Sequence, residues 1–215
     1  MNGRGRLSYF VEVMLYVTAG ALVAGHVINR VSSPRPLDPL WNRISTFAAS
    51  RYGGNYVTAG IGLFALCLLL FGILTWASVE QGKLAKLGGV LIAMGSLPML
   101  LVGVYPIYTP HEGNFGGALI VHTTEEMRSN HLHYVASGVA FGLLLAGILL
   151  VSLSLLEGRR LKVLGWAGLI LLPVTVELLG MTYRAHYYNG TWQRCAFLLP
   201  FAWMLTAARA MRGVR

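Results

Sequence analysis

Residues 133–156 read HYVASGVAFGLLLAGILLVSLSLL, 24 consecutive positions without an Asp, Glu, Lys or Arg. As an α-helix rising 1.5 Å per residue, this stretch measures about 36 Å and crosses the roughly 30 Å hydrocarbon core of a bilayer. Inside hydrocarbon every backbone amide must find a partner within the protein, so an unbroken run of this kind is a helix. It is also too long and continuous for the alternating ten-residue strands of an outer-membrane barrel. Five more blocks read the same way, at about 9–30, 56–79, 84–105, 161–183 and 192–211. The expectation is an all-α fold: a polytopic transmembrane bundle of six helices, one integral membrane domain over residues 1–215, with two long outer loops.

Composition agrees. Of 215 residues, 55% are hydrophobic and 12% charged, about half the charged share of an ordinary globular chain, and the mean hydropathy is +0.61. Too little polar surface is left to cover a compact body in water, which excludes a cytosolic enzyme, a disordered chain and a secreted disulfide scaffold. Cys67 sits near the middle of the second block and Cys195 begins the last; their different depths argue against a disulfide. The first block is too long for the apolar part of a cleavable signal and no small-x-small cleavage site follows it, so it reads as a retained helix. The net charge of +9 does not imply a nucleic-acid partner, because no basic stripe interleaved with aromatics lies outside the blocks. Anionic lipid headgroups account for it more simply.

With the N-terminus inside, ten of the 17 Lys and Arg fall in the inner segments, including Lys83, Lys86 and Lys162. That bias places both termini in the cytoplasm and the protein in the cytoplasmic (inner) membrane. The outer segments, Val31 to Asn55 and Pro106 to Leu132, are each about 25 residues. Loops of that length are uncommon unless they build a lid or a site. Trp41, Tyr52, Tyr56, Tyr105, Tyr108, Tyr134, Tyr183, Tyr187, Tyr188 and Trp192 gather on the outer side, as an interfacial aromatic belt does.

Ionisable groups at bilayer depth are costly and draw functional attention. Glu12 lies near the inner end of the first block and is expected to snorkel toward Arg4 or Arg6. His26 and Glu177 each lie about one and a half turns below the outer end of their blocks, and His133 opens the fourth block on the same side. Were they to converge, His26, His133 and Glu177 would suit zinc or another transition metal, with His111, His122 or His186 arriving from loops. His131 and His133, two apart on a helix, cannot face the same way.

Other polar features read more simply. Thr123-Thr124-Glu125-Glu126, followed by Arg128, is a solvated turn that could cap a short surface helix. Asp38 and Arg43 flank Trp41 after Pro34, Pro36 and Pro39, in an ordered segment paired by its own charges. Ser45 reads as a helix cap rather than a nucleophile, since no Gly-x-Ser-x-Gly elbow surrounds it. Gly138 and Gly142, continued by Ala146, form a small-residue stripe for close helix packing. Pro98, Pro173 and Pro200 interrupt spans, and a kink at Pro173 would open room beside Glu177. Asn189-Gly190-Thr191 matches a glycosylation sequon by coincidence, in a short loop against the bilayer.

Several fragments together resemble one family, the six-helix prokaryotic membrane proteins catalogued as domain of unknown function 998. Ile44-Ser45-Thr46-Phe47-Ala48 resembles its Ser-centred segment before the second helix, and Gly103-Val104-Tyr105-Pro106 its Gly-x-aromatic-Pro ending of helix three. Leu132-His133-Tyr134-Val135-Ala136, running into Phe141, resembles its histidine at the head of helix four. Gly180 to Arg184, followed by Trp192, resembles its Arg-bearing turn before the last helix. Relatives often carry an acid just after the helix-three proline, where this chain has Ile107 and Tyr108, and Glu before the Arg of the last turn, where it has Tyr183. The resemblance implies fold and location; it carries no activity.

Three functional expectations follow. The first is a non-catalytic lipid-binding or accessory subunit, with membrane lipids and other membrane protein subunits as partners met through the outer face. The second is a metal-assisted intramembrane hydrolase acting on a lipid at the outer leaflet, with His133, Glu177 and Arg184 as candidate catalytic residues and His26, His133 and Glu177 as candidate ligands. The third is a haem-binding or transport protein, for which His26 and His133 are the conceivable axial pair. The chain shows no internal repeat that would support transport.

Overall fold

The computed structural model describes residues 3–34, 36–78, 82–107, 123–157, 161–184 and 188–213. These form eight helices and, among the described residues, no strand: α1 (Gly3–Ser32), α2 (Ile44–Ala48), α3 (Gly54–Ser78), α4 (Lys83–Met94), α5 (Ser96–Val104), α6 (Thr124–Glu157), α7 (Lys162–Arg184) and α8 (Asn189–Gly213). α4 and α5 are one apolar run divided at Gly95, three residues before Pro98, whose ring supplies no amide to the Met94 carbonyl. Pro173 and Pro200 are accommodated inside α7 and α8 without ending either helix.

Five helical runs are long and apolar enough to cross a membrane: α1, α3, α4 with α5, α6 and α7. The sixth expected block forms α8, 25 residues long, but Arg194, Arg209 and Arg212 dilute it below the apolarity of the others. The largest boundary difference is at α6, which begins at Thr124 rather than near His133. The reason is a reciprocal cap: the Glu126 amide donates to Thr123 Oγ1 (3.2 Å) and the Thr123 amide to Glu126 Oε2 (2.9 Å). This capping box satisfies two of the orphan donors at the helix start. Thr123 and Glu126 therefore start a spanning helix instead of capping a short one, and the second outer segment is shorter than expected.

The long helices close into a ring. α1 packs on α3, α3 on α4 and α5, these on α6, α6 on α7, α7 on α8, and α8 returns to α1. Inside lie Phe64, Phe71, Phe141, Phe197, Phe201 and Trp203, in edge, tilted and stacked ring contacts of 4.8 to 6.2 Å. The C-terminal half of the last helix is held by two buried hydrogen bonds. Trp203 Nε1 donates to the Leu164 carbonyl (3.1 Å), and Ser8 Oγ to the Ala208 carbonyl (2.5 Å). At the rim shared by α1 and the end of α8, Glu12 Oε1 accepts from Arg209 Nε (2.7 Å), and Arg212 Nη1 lies 3.3 Å from Oε2. Glu12 thus pairs with α8, not with Arg4 or Arg6 of its own helix, because the ring brings the end of the chain beside its beginning.

Close helix approach uses glycines other than the expected pair. A Cβ on Gly88 of α4 would stand 2.8 Å from the Gly147 carbonyl oxygen of α6, and one on Gly147 would stand 2.7 Å from that of Gly88. Gly138 and Gly142 have nothing within 4 Å of that position. Both cysteines are free.

Candidate functional site

Between the outer ends of the ring lies a cavity of about 210 Å³, larger than the roughly 150 Å³ that already holds benzene in an apolar core. Its lining follows the helices inward. Arg43, Ser45, His133, Thr182, Tyr183 and Gln193 surround the outer part. Phe141 and Leu145 of α6, Leu179 of α7, Phe197 of α8 and Ile61 of α3 line the part below. From His133 to Leu145 is twelve residues, or about 18 Å of helix. One end of the cavity is polar and the rest apolar.

The first outer segment roofs this cavity, and its shape depends on side chains from elsewhere. Asn29 of α1, 1% exposed, donates to Ser50 Oγ (2.8 Å) and the Tyr52 carbonyl (3.1 Å) and accepts from the Leu37 amide (2.9 Å). The start of α8 holds the other side of the segment. The Gly190 and Thr191 amides donate to the Trp41 and Leu40 carbonyls (both 3.1 Å), and the Ile44 amide donates to Gln193 Oε1 (2.6 Å). Arg194 Nη1 donates to the Pro39 and Asn42 carbonyls (2.5 and 2.9 Å). The Asn189-Gly190-Thr191 sequon is thereby part of this fold. At Gly53, where φ is +79°, a Cβ would meet the Gly25 carbonyl oxygen at 2.2 Å, so only glycine lets the segment turn into α3 there.

Arg43 and Asp38 do not pair. Asp38 Oδ1 accepts from the Leu40 amide (2.8 Å) and closes its own turn. Arg43 reaches across the cavity mouth instead, donating from Nη1 to the Tyr134 hydroxyl (3.0 Å) and from Nη2 to the Thr182 carbonyl (3.1 Å), with its guanidinium 5.2 Å from the centre of the Tyr183 ring. Among the described residues no carboxylate pairs with it. Ser45 is not a helix cap. It sits in the first turn of α2, 3% exposed, and its Oγ has no hydrogen-bond partner.

The residues singled out from sequence do not gather. His26 is stacked on Phe47 at 4.2 Å between ring centroids; its Nδ1 donates to the Leu22 carbonyl (2.6 Å) and its Nε2 accepts from Arg194 Nη2 (2.6 Å). Both ring nitrogens are engaged. His133, 3% exposed, lines the cavity and donates from Nδ1 to the Tyr105 carbonyl (2.6 Å). Glu177 faces outward on α7 and pairs with Arg184 at 2.7 Å, both side chains 65% exposed. Pro173 opens no interior room for it. Among the described residues, no three His, Cys, Asp or Glu side chains are placed to share a metal ion. His111, His122 and His186 lie outside the described residues.

Of the described candidates His26, His133, Glu177 and Arg184, His133 borders the cavity. Of the residues that shape its polar end, Arg43 and Ser45 were legible in an outer segment and Gln193 at the start of the sixth block, but not as neighbours. One signal was available: Arg43 immediately precedes the Ser-centred fragment at 44–48 and so stands beside Ser45.

A ring of apolar helices around a cavity polar at its outer end defines a multi-pass membrane protein with an internal amphipathic site. The chain belongs to the family described as protein of unknown function DUF998, whose model matches residues 16–210. No curated protein and no solved structure matches it.

Proposed function

We propose that this protein is a non-catalytic lipid-binding subunit of the cytoplasmic membrane, with six spans and both termini inside. The observation that carries the reading is the cavity, whose sequence of polar mouth and apolar depth matches that of a lipid. Sites for amphiphiles combine an apolar lining with a few placed polar groups in this way. α8 serves as the sixth span. Its arginines stand near its two ends, where long side chains snorkel to water, and the 14 residues between, 195–208, carry no charge. It packs along α1 and α7, themselves apolar enough to cross. Other membrane subunits dock on the outer face, where the stacked rings of Trp41 and Tyr188 present a partly exposed aromatic surface.

Native mass spectrometry after purification in mild detergent tests the reading. A lipid retained at about one per chain is expected. Protein that stays folded and stable with no retained lipid would overturn it.

A further inference from the structure

We propose that the occupant is a lipid with an anionic headgroup, phosphate or carboxylate, held by Arg43 and Ser45, and that one of its acyl chains lies in a notch at Gly138 and Gly142 reached sideways from the bilayer. This inference rests on the lipid-binding reading above and names the ligand class of the same site.

The headgroup assignment follows from charge. Arg43 carries a positive charge and is half-buried within the roof segment, yet its protein partners are all neutral: the Tyr134 phenol, the Thr182 carbonyl and the face of the Tyr183 ring. Two of its five donors are thereby used. A partly exposed guanidinium with donors to spare attracts an opposite charge, and its planar fork suits a phosphate or carboxylate oxygen pair. Ser45 adds a second, independent sign. The residue lines the same cavity, and its hydroxyl is buried with no partner, whereas buried hydroxyls are normally satisfied. A ligand oxygen between Arg43 and Ser45 answers both. A zwitterionic choline headgroup would bring a second cation toward Arg43.

The path follows from the two glycines. Gly138 and Gly142 border the cavity and are themselves exposed on the outside of α6. A Cβ at either would meet nothing within 4 Å. No neighbouring helix has taken up the space, so the cavity wall there is bare backbone. Leu179, Thr182 and Tyr183 of α7 form the facing side of the cavity. A chain sliding between α6 and α7 moves from hydrocarbon into an apolar slot without crossing water. The volume of about 210 Å³ accommodates one chain segment, not a whole two-chain lipid, and a notch open to the side leaves the second chain in the bilayer.

The test is a native mass-spectrometric titration of the delipidated full chain with phosphatidylglycerol and phosphatidylcholine of identical acyl chains. Wild type is expected to prefer phosphatidylglycerol by about tenfold, the ratio that 1.4 kcal/mol of charge-assisted hydrogen bonding produces. Arg43→Gln should equalise the two lipids, and Arg43→Lys should restore part of the preference, which separates lost charge from lost folding. Gly142→Leu should weaken both lipids about tenfold or more without lowering the melting temperature, because the added side chain enters open space. Equal affinities in wild type would overturn the headgroup assignment and leave the lipid-binding reading standing. Binding of neither lipid would overturn that reading itself. Unchanged binding by Gly142→Leu would remove the notch. If inorganic phosphate displaced phosphatidylglycerol at equal concentration, the occupant would be a soluble anion instead of a lipid.

Discussion

Seven residues, about 10 Å of helix, separate Glu177 from Arg184 at the outer end of α7. The arginine reaches back along the surface to meet the carboxylate at 2.7 Å. A lone carboxylate on a lipid-facing surface at that depth is costly; pairing lowers the cost by cancelling the charge. Arg184→Gln is therefore expected to reduce the amount of folded protein in the membrane fraction several-fold, and the double variant Glu177→Gln/Arg184→Gln to recover most of it. Immunoblotting of membranes from cells producing each variant checks this, and a double variant no better than the single one contradicts it. The place of Glu177 near the end of α7 was legible in the sequence; its direction was not. α7 is apolar on nearly every side, so its pattern has no phase to mark an inward face. Asn29, fully buried and holding three partners from the first outer segment, escaped notice for a related reason. Only the fold shows which chain segment returns to it.

Glycines act in opposite ways in different elements. At the α4–α6 crossing, Gly88 and Gly147 stand backbone to backbone, and any Cβ must push the helices apart. Overpacking of this kind costs about 1–3 kcal/mol. At Gly138 the same methyl group meets open space, and the better helix propensity of alanine adds up to about 1 kcal/mol. Gly88→Ala should accordingly lower the thermal stability of the detergent-solubilised protein, while Gly138→Ala should leave it unchanged or raise it. Equal losses in the two variants would show that Gly138 is packed after all. A spacing of four picks out the Gly138–Gly142 pair in the sequence, but spacing alone cannot say whether a small residue admits a neighbouring helix or leaves a gap. The helix bounds fall within three residues of the expected blocks except at the start of α1 and, further out, at the start of α6. There the polar opening from Thr124 to His131 hides a helix that the Thr123–Glu126 cap begins. α8 reads as a block of the right length whose arginines dilute its apolarity.

Across the whole molecule, each long helix packs on the next and the last packs on the first. The ion pairs of Glu12 with Arg209 and Arg212 join the two ends of the chain at one rim. Six spans require both termini on one side of the membrane; five would separate them. Reporter fusions at residues 1 and 215 are expected to give the same cytoplasmic signal, and opposite signals would show that α8 does not cross. The ring also fixes where a lipid can be held. The proposed lipid site is the cavity under Arg43, whereas most of the outer surface would meet acyl chains only in passing. Photo-crosslinking with a lipid that carries a diazirine in its acyl chain, followed by peptide mapping, measures this directly. Labelling is expected to concentrate at Ser137, Phe141, Leu145 and Phe197, which line the cavity, and to be lost in Gly142→Leu. Labelling spread evenly over outward positions such as Ile170 and Val174, with the cavity residues unmarked, would contradict it.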